Sequence, residues 1–381
     1  MKIAYCIPSL YYPSGMERVL TLKANYFAEK FSYEIHIILT DGKDRKPYYD
    51  LHPSITIHQL DIDFDALNNL RFYKKLPKYL FKQRLFKKKL NECLHQIHPD
   101  ITISLLRRDI NFIDKMTDGS VKMGEIHFNK SNYRDFSNLR LPEFLKTIAR
   151  GYWRAQLIRH LRCLKQFIVL SHEDAREWTE LTNVRVIYNP LPFFPEQVSD
   201  GSRKQVIAVG RYVPQKGFDR LISAWQLVAR KHPDWVLRIY GDGMREQLQQ
   251  QIDSLGITTS CILEHTVANI IDKYCESSIF TLSSRFEGFG MVIIEAMACG
   301  VPPVSFTCPC GPRDIINDGK DGLLAEDGNI EELAEKISYL IEHEDIRKEM
   351  GKQARLNVQR FQIENIAGQW KQLFEEYTAT N

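Results

Sequence analysis

The stretch Ser283-Ser284-Arg285-Phe286-Glu287-Gly288-Phe289-Gly290-Met291-Val292-Ile293-Ile294-Glu295-Ala296-Met297-Ala298-Cys299-Gly300-Val301-Pro302-Pro303-Val304 reads as a strand end, a turn and a helix. The apolar run Ser278–Leu282 leads into it, and Gly288 and Gly290 supply a turn that brings backbone close to a ligand. From Met291 to Cys299 apolar residues recur at helical spacing, Gly300 is a C-terminal stop, and Pro302 and Pro303 forbid continuation. Glu287 stands just before the helix, and Glu295 lies about two turns along it. A helix N-terminus preceded by glycines presents free N–H groups and the positive end of the macrodipole, which suits a phosphate. An acid beside a phosphate repels it, so Glu287 is read as accepting hydrogen bonds from neutral hydroxyls. A ligand with phosphates, a ribose and a sugar would use all of these groups. A plain buried strand–helix unit with an acid near the cap would show the same letters.

Outward from this unit the alternation reaches back to Gln205. Strands are predicted at Gln205–Val209, Val236–Tyr240, Cys261–Glu264, Ile279–Leu282 and Val304–Phe306, with helices at Phe218–Lys231, Glu246–Leu255 and Ile270–Ser277 between them. Helices at Ile330–His343, Ile346–Arg360 and Glu364–Thr378 follow. Such alternation specifies a parallel sheet, whose ligands bind beyond the carboxyl ends of the strands. The turn from Gly210 to Gly217 joins a strand to a helix at that edge. There Arg211 would grip a diphosphate in bidentate fashion and Lys216 as a point charge, although a solvated turn would contain the same residues. Ile239-Tyr240-Gly241-Asp242-Gly243 is a second glycine turn at this edge.

The first half repeats the design. Strands are predicted at Lys2–Ile7, Ile35–Leu39, Thr56–Leu60, Ile101–Leu105, Val121–Ile126 and Gln166–Leu170, with a helix from Glu17 to Phe31. Gly15, between the first strand and that helix, can approach a phosphate or sugar through its backbone or simply form a tight turn. His127 follows the strand Val121–Ile126 at the ligand edge, where a structural histidine is an equal reading. The expected class is α/β, with two Rossmann-like doubly wound halves. The 381 residues divide into a domain over 1–190, a proline-rich and polar linker over 191–204, a domain over 205–360 and a final helical segment over 361–381.

Composition is that of a soluble globular chain, but the net charge of +3 hides an asymmetry. Arg71–Leu90 contains no acid and interleaves lysines and arginines with Phe, Tyr and Leu. A segment of this kind lies on an anionic membrane surface or binds a polyanion, or else packs its apolar side on its own domain. Lys146–Lys165 is a second basic and aromatic stretch. No window is long and apolar enough to span a bilayer, and the apolar run before Pro8 is too short for a signal peptide. The eight cysteines are scattered; Cys6, Cys163 and Cys275 are expected in the core, as reduced thiols of a cytosolic protein. Cys308-Pro309-Cys310 lacks zinc spacing, and Asp61-Ile62-Asp63 and Asp63-Phe64-Asp65 lack the context of a metal site, so no metal is expected. The absence of a GxGxxG after an early strand argues against a dinucleotide oxidoreductase.

EGFGMVIIEAMACGVPPV from Glu287, with Glu287 and Glu295 in an E-x7-E arrangement, resembles the retaining nucleotide-sugar glycosyltransferases of family 4, as do GRYVPQKGFDRLI from Gly210, IYGDG from Ile239 and CGPRDIINDGKDGLL from Cys310. The likeness is strong over Lys204–Arg360 and weaker in SGMERV at Ser14, GEIHFN at Gly124 and VRVIYNPL at Val184. It implies a GT-B-type architecture: two Rossmann-like domains facing across a cleft, donor mostly on the second, acceptor mostly on the first, and a final helix crossing back to the first. By analogy Arg211 and Lys216 hold the donor diphosphate, Glu295 the ribose hydroxyls and Glu287 hydroxyls of the transferred sugar. Phe289, Gly290, Met291 and Val292 would contact sugar and phosphate through their N–H groups, with Gly210 and Gly241 also on the donor side. His127 would sit near the sugar and Gly15 near the diphosphate.

The resemblance further implies that the nucleotide sugar is a substrate and that no cofactor is needed. The donor would be a UDP-linked hexose or N-acetylhexosamine and the acceptor a glycan or lipid-linked glycan of a bacterial surface polysaccharide, with no nucleic-acid partner. Apart from the resemblance, the reduced cysteines give a cytoplasmic expectation, and the basic segment Arg71–Leu90 could hold the chain on the inner face of the membrane or be an ordinary solvated helix face. Two departures from the family pattern stand out: Ser14-Gly15, where many relatives have two glycines, and His265-Thr266, where many have glycine near the base. A nucleotide-sugar epimerase would share the phosphate site. A non-catalytic polyanion- or membrane-docking protein would share the basic segment but not the cations of the second half.

Overall fold

The computed structural model describes residues 1–67, 70, 72–128, 130 and 143–378. Arg71, Asn129 and the last three residues, which fall in stretches singled out above, lie outside the described residues. The chain forms two compact units. Unit 1 comprises Met1–Leu170, Ala175–Pro190 and the segment from Ile363 onward, and unit 2 comprises Ser171–Asp174 and Leu191–Gln362.

Unit 1 is built on the strands β1 (Lys2–Ile7), β2 (Glu34–Leu39), β3 (Thr56–Gln59), β4 (Ile101–Ser104), β5 (Val121–Glu125), β6 (Gln166–Val169) and β7 (Val184–Val186). They pair in the order β3-β2-β1-β4-β5-β6-β7, every pair parallel. The interior strand β1 is buried from Ala4 to Ile7, as a strand covered on both faces is. The helices α1 (Gly15–Lys30), α2 (Phe72–Ile97) and α3 (Glu143–Arg162) follow in chain order, and α4 (His172–Glu177) is divided between the two units. Leu20, Ala24 and Phe27 of α1 enter one hydrophobic cluster, and α2 and α3 contribute to another.

Unit 2 has the strands β8 (Gln205–Val209), β9 (Val236–Tyr240), β10 (Cys261–Glu264), β11 (Ile279–Leu282), β12 (Pro303–Phe306) and β13 (Leu323–Ala325). Their order is β10-β9-β8-β11-β12-β13, again all parallel. Its helices are α5 (Phe218–Lys231), α6 (Arg245–Leu255), α7 (Ile270–Cys275), α8 (Met291–Ala298), α9 (Pro312–Ile315), α10 (Ile330–Glu342) and α11 (Glu344–Asn357). α5 buries Leu221, Ile222, Trp225 and Val228 along one stripe. Pro303 opens β12, the strand position that tolerates a missing N–H. The last helix, α12 (Ile363–Thr378), belongs to unit 1, where Phe374 meets Phe27 of α1 edge-on at 5.7 Å.

Residues 191–204 were expected as a linker but are part of unit 2, because its backbone supplies their partners. The Leu191 N–H donates to the Phe361 carbonyl at 2.7 Å and the Ser199 N–H to the Cys299 carbonyl at 2.9 Å. Residues 361 and 362 likewise stay with unit 2. Of the three cysteines expected in the core only Cys6 is buried; Cys163 is exposed and Cys275 half-buried.

Candidate functional site

β8 and β11 are neighbours although β9 and β10 lie between them in sequence, so the loops leaving their carboxyl ends start side by side where the strand order reverses. The β8 loop turns through a short helix, Pro214–Lys216, closed by Gly217 at φ 62°. A Cβ on Gly217 would stand 2.1 Å from the Ser283 carbonyl oxygen, so glycine alone lets the two loops touch. Around that contact the Ser283 hydroxyl donates to the Lys216 carbonyl at 3.0 Å, the Arg285 N–H to the Gln215 carbonyl at 2.8 Å, and Gln215 Nε2 to the Phe286 carbonyl at 3.1 Å. The Arg285 guanidinium grips both carboxylate oxygens of Asp219, at 2.8 and 2.6 Å, and donates to the Pro214 carbonyl at 2.7 Å. Its hydrogen bonds hold the Asp219 carboxyl below the usual carboxylate range.

This lacing delivers Lys216 Nζ to Glu287 Oε1 at 2.8 Å, with the two side chains 16% and 7% exposed. The Ser284 hydroxyl donates to the same oxygen at 2.5 Å, and the Glu287 N–H donates to the Pro309 carbonyl at 3.0 Å. Sequence reasoning set Lys216 against phosphate and Glu287 against hydroxyls. In the structure the two pair with each other, a pairing that spacing gave no sign of. The Arg285–Asp219 clamp was missed for the same reason: its members lie 66 residues apart. Arg211, in the same loop as Lys216, is exposed.

The glycines divide by purpose. A Cβ on Gly241 would lie 1.9 Å from the Gly210 carbonyl oxygen, so Gly241 serves the packing of the β8 and β9 loops. A Cβ on Gly210 itself would meet the Lys216 methylenes at 3.3 Å. Gly290, at φ 100°, caps α8, and Met291 and Val292 occupy its first turn, whose N–H groups have no intrahelical acceptor. The Phe289 ring is buried edge-on against Phe361 at 5.5 Å, and its carbonyl lies so close to Gly311 that a Cβ there would stand 1.9 Å from it. Glu295 is buried and accepts from the Tyr274 hydroxyl at 3.2 Å. In the second glycine turn Asp242 accepts from Thr266 Oγ at 2.6 Å and from the His265 ring at 2.8 Å, and these bonds hold its carboxyl at about 2. His265-Thr266, a departure from the family pattern, is thus the partner of that turn's acid.

In unit 1, Gly15 opens α1, and a Cβ there would have nothing within 4 Å. His127 lies just past β5, its side chain 9% exposed and its Nε2 3.2 Å from Glu125 Oε1. Glu125 in turn forms a sealed ion pair with Lys23 of α1, whose ammonium also lies 4.5 Å over the Trp370 ring of α12. Burial alone would raise the Glu125 carboxyl, but Lys23 and His127 hold it at about 2. Sequence reasoning missed this pair, since a lysine in an amphipathic helix reads as a surface residue. Asp61, Asp63 and Asp65 alternate with the buried Ile62 and Phe64, and Asp65 accepts from the Tyr11 hydroxyl at 2.5 Å.

The family described as Glycosyl transferases group 1 matches residues 192–357. An uncharacterized glycosyltransferase of Haemophilus influenzae is 29% identical over 97% of this chain and 99% of its own length. The Campylobacter jejuni enzyme named GalNAc-alpha-(1->4)-GalNAc-alpha-(1->3)-diNAcBac-PP-undecaprenol alpha-1,4-N-acetyl-D-galactosaminyltransferase is 24% identical over 99% of both chains. The poly(ribitol-phosphate) alpha-N-acetylglucosaminyltransferase of Staphylococcus aureus is 28% identical over 66% of this chain, which spans 50% of that protein's length. Among solved structures, Staphylococcus aureus TarM in complex with Fondaparinux, alpha-GlcNAc-glycerol and UDP gives a TM-score of 0.76 at 18% identity over 98% of this chain and 99% of that one. Sucrose-phosphate synthase of Thermosynechococcus elongatus gives 0.81 at 17% identity over 100% of both. At such identities the likeness shows the fold, two parallel-sheet Rossmann-like domains of the GT-B kind. Fold, family match and full-length relatives together support a glycosyltransferase of GT-B architecture.

Proposed function

We propose that the chain is a retaining glycosyltransferase that moves a hexose or N-acetylhexosamine from a UDP-linked donor to a glycan or lipid-linked acceptor in surface polysaccharide synthesis. The observation that carries this reading is the Lys216–Glu287 pair at the β8/β11 switch point, beside the N-terminus of α8. It sets a cation for a pyrophosphate next to an acid for hydroxyls. Donor arrival exchanges the partners: Lys216 turns its charge to the diphosphate and Glu287 accepts from the sugar hydroxyls, while Glu295 takes the ribose hydroxyls. TarM, solved with UDP and alpha-GlcNAc-glycerol, and the poly(ribitol-phosphate) and undecaprenol-linked substrates in the names of the two bacterial relatives support the UDP donor and the surface-glycan acceptor.

In this mechanism the bond between the anomeric carbon and the phosphate oxygen breaks and negative charge builds on the leaving diphosphate. Lys216, Arg211 and the first-turn N–H groups of α8 stabilise it, each contact contributing about 2–4 kcal/mol. The acceptor hydroxyl joins the anomeric carbon on the face the leaving group departs from, and its proton passes to the leaving phosphate oxygen, which retains configuration. Side chains and backbone supply the neutralising charge, so activity is expected to persist in EDTA. The test is a thermal-shift comparison of UDP, GDP and ADP sugars, followed by transfer with the product anomer read by NMR. A UDP sugar should raise the melting temperature and the product should keep the donor's anomeric configuration. An inverted product, or melting unmoved by every nucleotide sugar, overturns the reading.

A further inference from the structure

A short segment far from the second sheet in sequence is built into unit 2: Ser171–Asp174 is counted with it, although Leu170 and Ala175 on either side belong to unit 1. A reciprocal pair of acids ties it there. Asp314 accepts the N–H groups of His172 and Glu173 at 2.8 and 3.2 Å, which closes the open N-terminus of α4. Glu173, its side chain 24% exposed, accepts in return from the Cys310 N–H at 3.1 Å and from Arg313 Nη1 at 3.0 Å. Cys310 is buried, so that N–H needs a partner inside the protein. The residue also stands at φ 63°, a left-handed conformation that a side chain with a Cβ keeps only where its surroundings hold it.

The loop held in this way is the one on which the backbone of Glu287 rests. On one side of Cys310 the Pro309 carbonyl accepts the Glu287 N–H at 3.0 Å; on the other Gly311, at φ 130°, seats against the Phe289 carbonyl with no room for a Cβ. Pro309 and Pro312 fix their own φ, so the segment has little slack and a shift at Cys310 passes to both contacts. We propose that Glu173 is a positioning residue for Glu287: through Cys310 it fixes the loop 309–311, and with it the place from which Glu287 meets the hydroxyls of the transferred sugar. Lys216 and Arg211, which serve the diphosphate, are carried by the β8 loop and its Arg285–Asp219 clamp. Loss of Glu173 should therefore weaken the grip on the sugar and spare the grip on the nucleotide. The role of Glu287 comes from the proposed function, on which this inference rests; the clamp of acids stands on the geometry of unit 2 alone.

The test is Glu173→Ala in the full chain, measured by steady-state transfer from UDP-glucose or UDP-N-acetylglucosamine, whichever raises the wild-type melting temperature, and by titration calorimetry with UDP alone. kcat/KM for transfer should fall by roughly tenfold, while the dissociation constant for UDP stays at the wild-type value. Glu173→Gln, whose amide oxygen still accepts the Cys310 N–H, should recover most of the loss. Asp314→Ala breaks the same clamp from its other side and carries the same expectation should Glu173→Ala fail to fold. Transfer at the wild-type rate in folded Glu173→Ala overturns the inference. So does a joint fall in melting temperature, UDP affinity and transfer, which marks a merely structural clamp, and so does a Gln variant no better than the Ala one, which removes the route through Cys310. If wild type transfers no sugar, the transferase reading falls and this inference with it, whereas a transferring wild type matched by Glu173→Ala sinks the inference alone.

Discussion

Each unit holds a lysine–glutamate pair, and the two differ in access. Lys23–Glu125 in unit 1 is closed off, with side chains 1% and 2% exposed. Lys216–Glu287 in unit 2 keeps Lys216 16% exposed at a loop mouth. A pair closed to water can turn only to the groups packed around it, here His127 beside Glu125, so removing Lys23 leaves a buried carboxylate without its main counter-charge. A pair at a mouth can trade its internal bond for a ligand that brings both an anion and hydroxyls. The same two side chains thus make a fixture in one sheet and an exchangeable site in the other.

The comparison breaks most visibly at Lys23. Lys23→Ala should cost about 3–5 kcal/mol in urea unfolding, because Glu125 is left charged and buried, whereas replacing both members with apolar residues should be close to neutral. A loss below about 1 kcal/mol would mean the pair is not closed off. Because the Glu125 carboxyl sits at about 2 rather than its ordinary 4.5, the stability it contributes is present above 4.5 and lost as pH falls through about 2; acid titration of the unfolding midpoint checks the sign. Next in size, Lys216→Ala should cut turnover by roughly a hundredfold or more with little change in melting temperature, measured by steady-state transfer. Smaller again, Arg285→Ala should reduce kcat by roughly tenfold by loosening the loop that aims Lys216, and Asp219→Asn should follow it. Smallest, Asp242→Asn should leave the melting temperature close to wild type, since its partners are exposed; a marked drop would give the His265-Thr266 contact a larger part in the fold.

The fold was largely legible because its signals are local. Phe218–Lys231 carries apolar residues at 218, 221, 222, 225 and 228, a 3.6-residue stripe, and the helix has those bounds. β7 escaped because Val184–Val186 is too short to show a period. Pro303 was legible as the end of a helix and also opens a strand. For the site, glycine turns placed Lys216 and Glu287 at the edge where ligands bind, but not against each other. Pairings such as Arg285 with Asp219 or Lys23 with Glu125 are set by which loops and helices the sheet order brings side by side, and no spacing along the chain encodes that.

The tight seat of Gly241 on the Gly210 carbonyl bears on re-engineering. Any side chain at 241 would overlap main-chain oxygen at 1.9 Å, and no rotamer can relieve that. The turns after β8 and β9 therefore inherit each other's shape. Grafting one of them from a relative should yield misfolded chimeras unless its mate is transplanted in the same step.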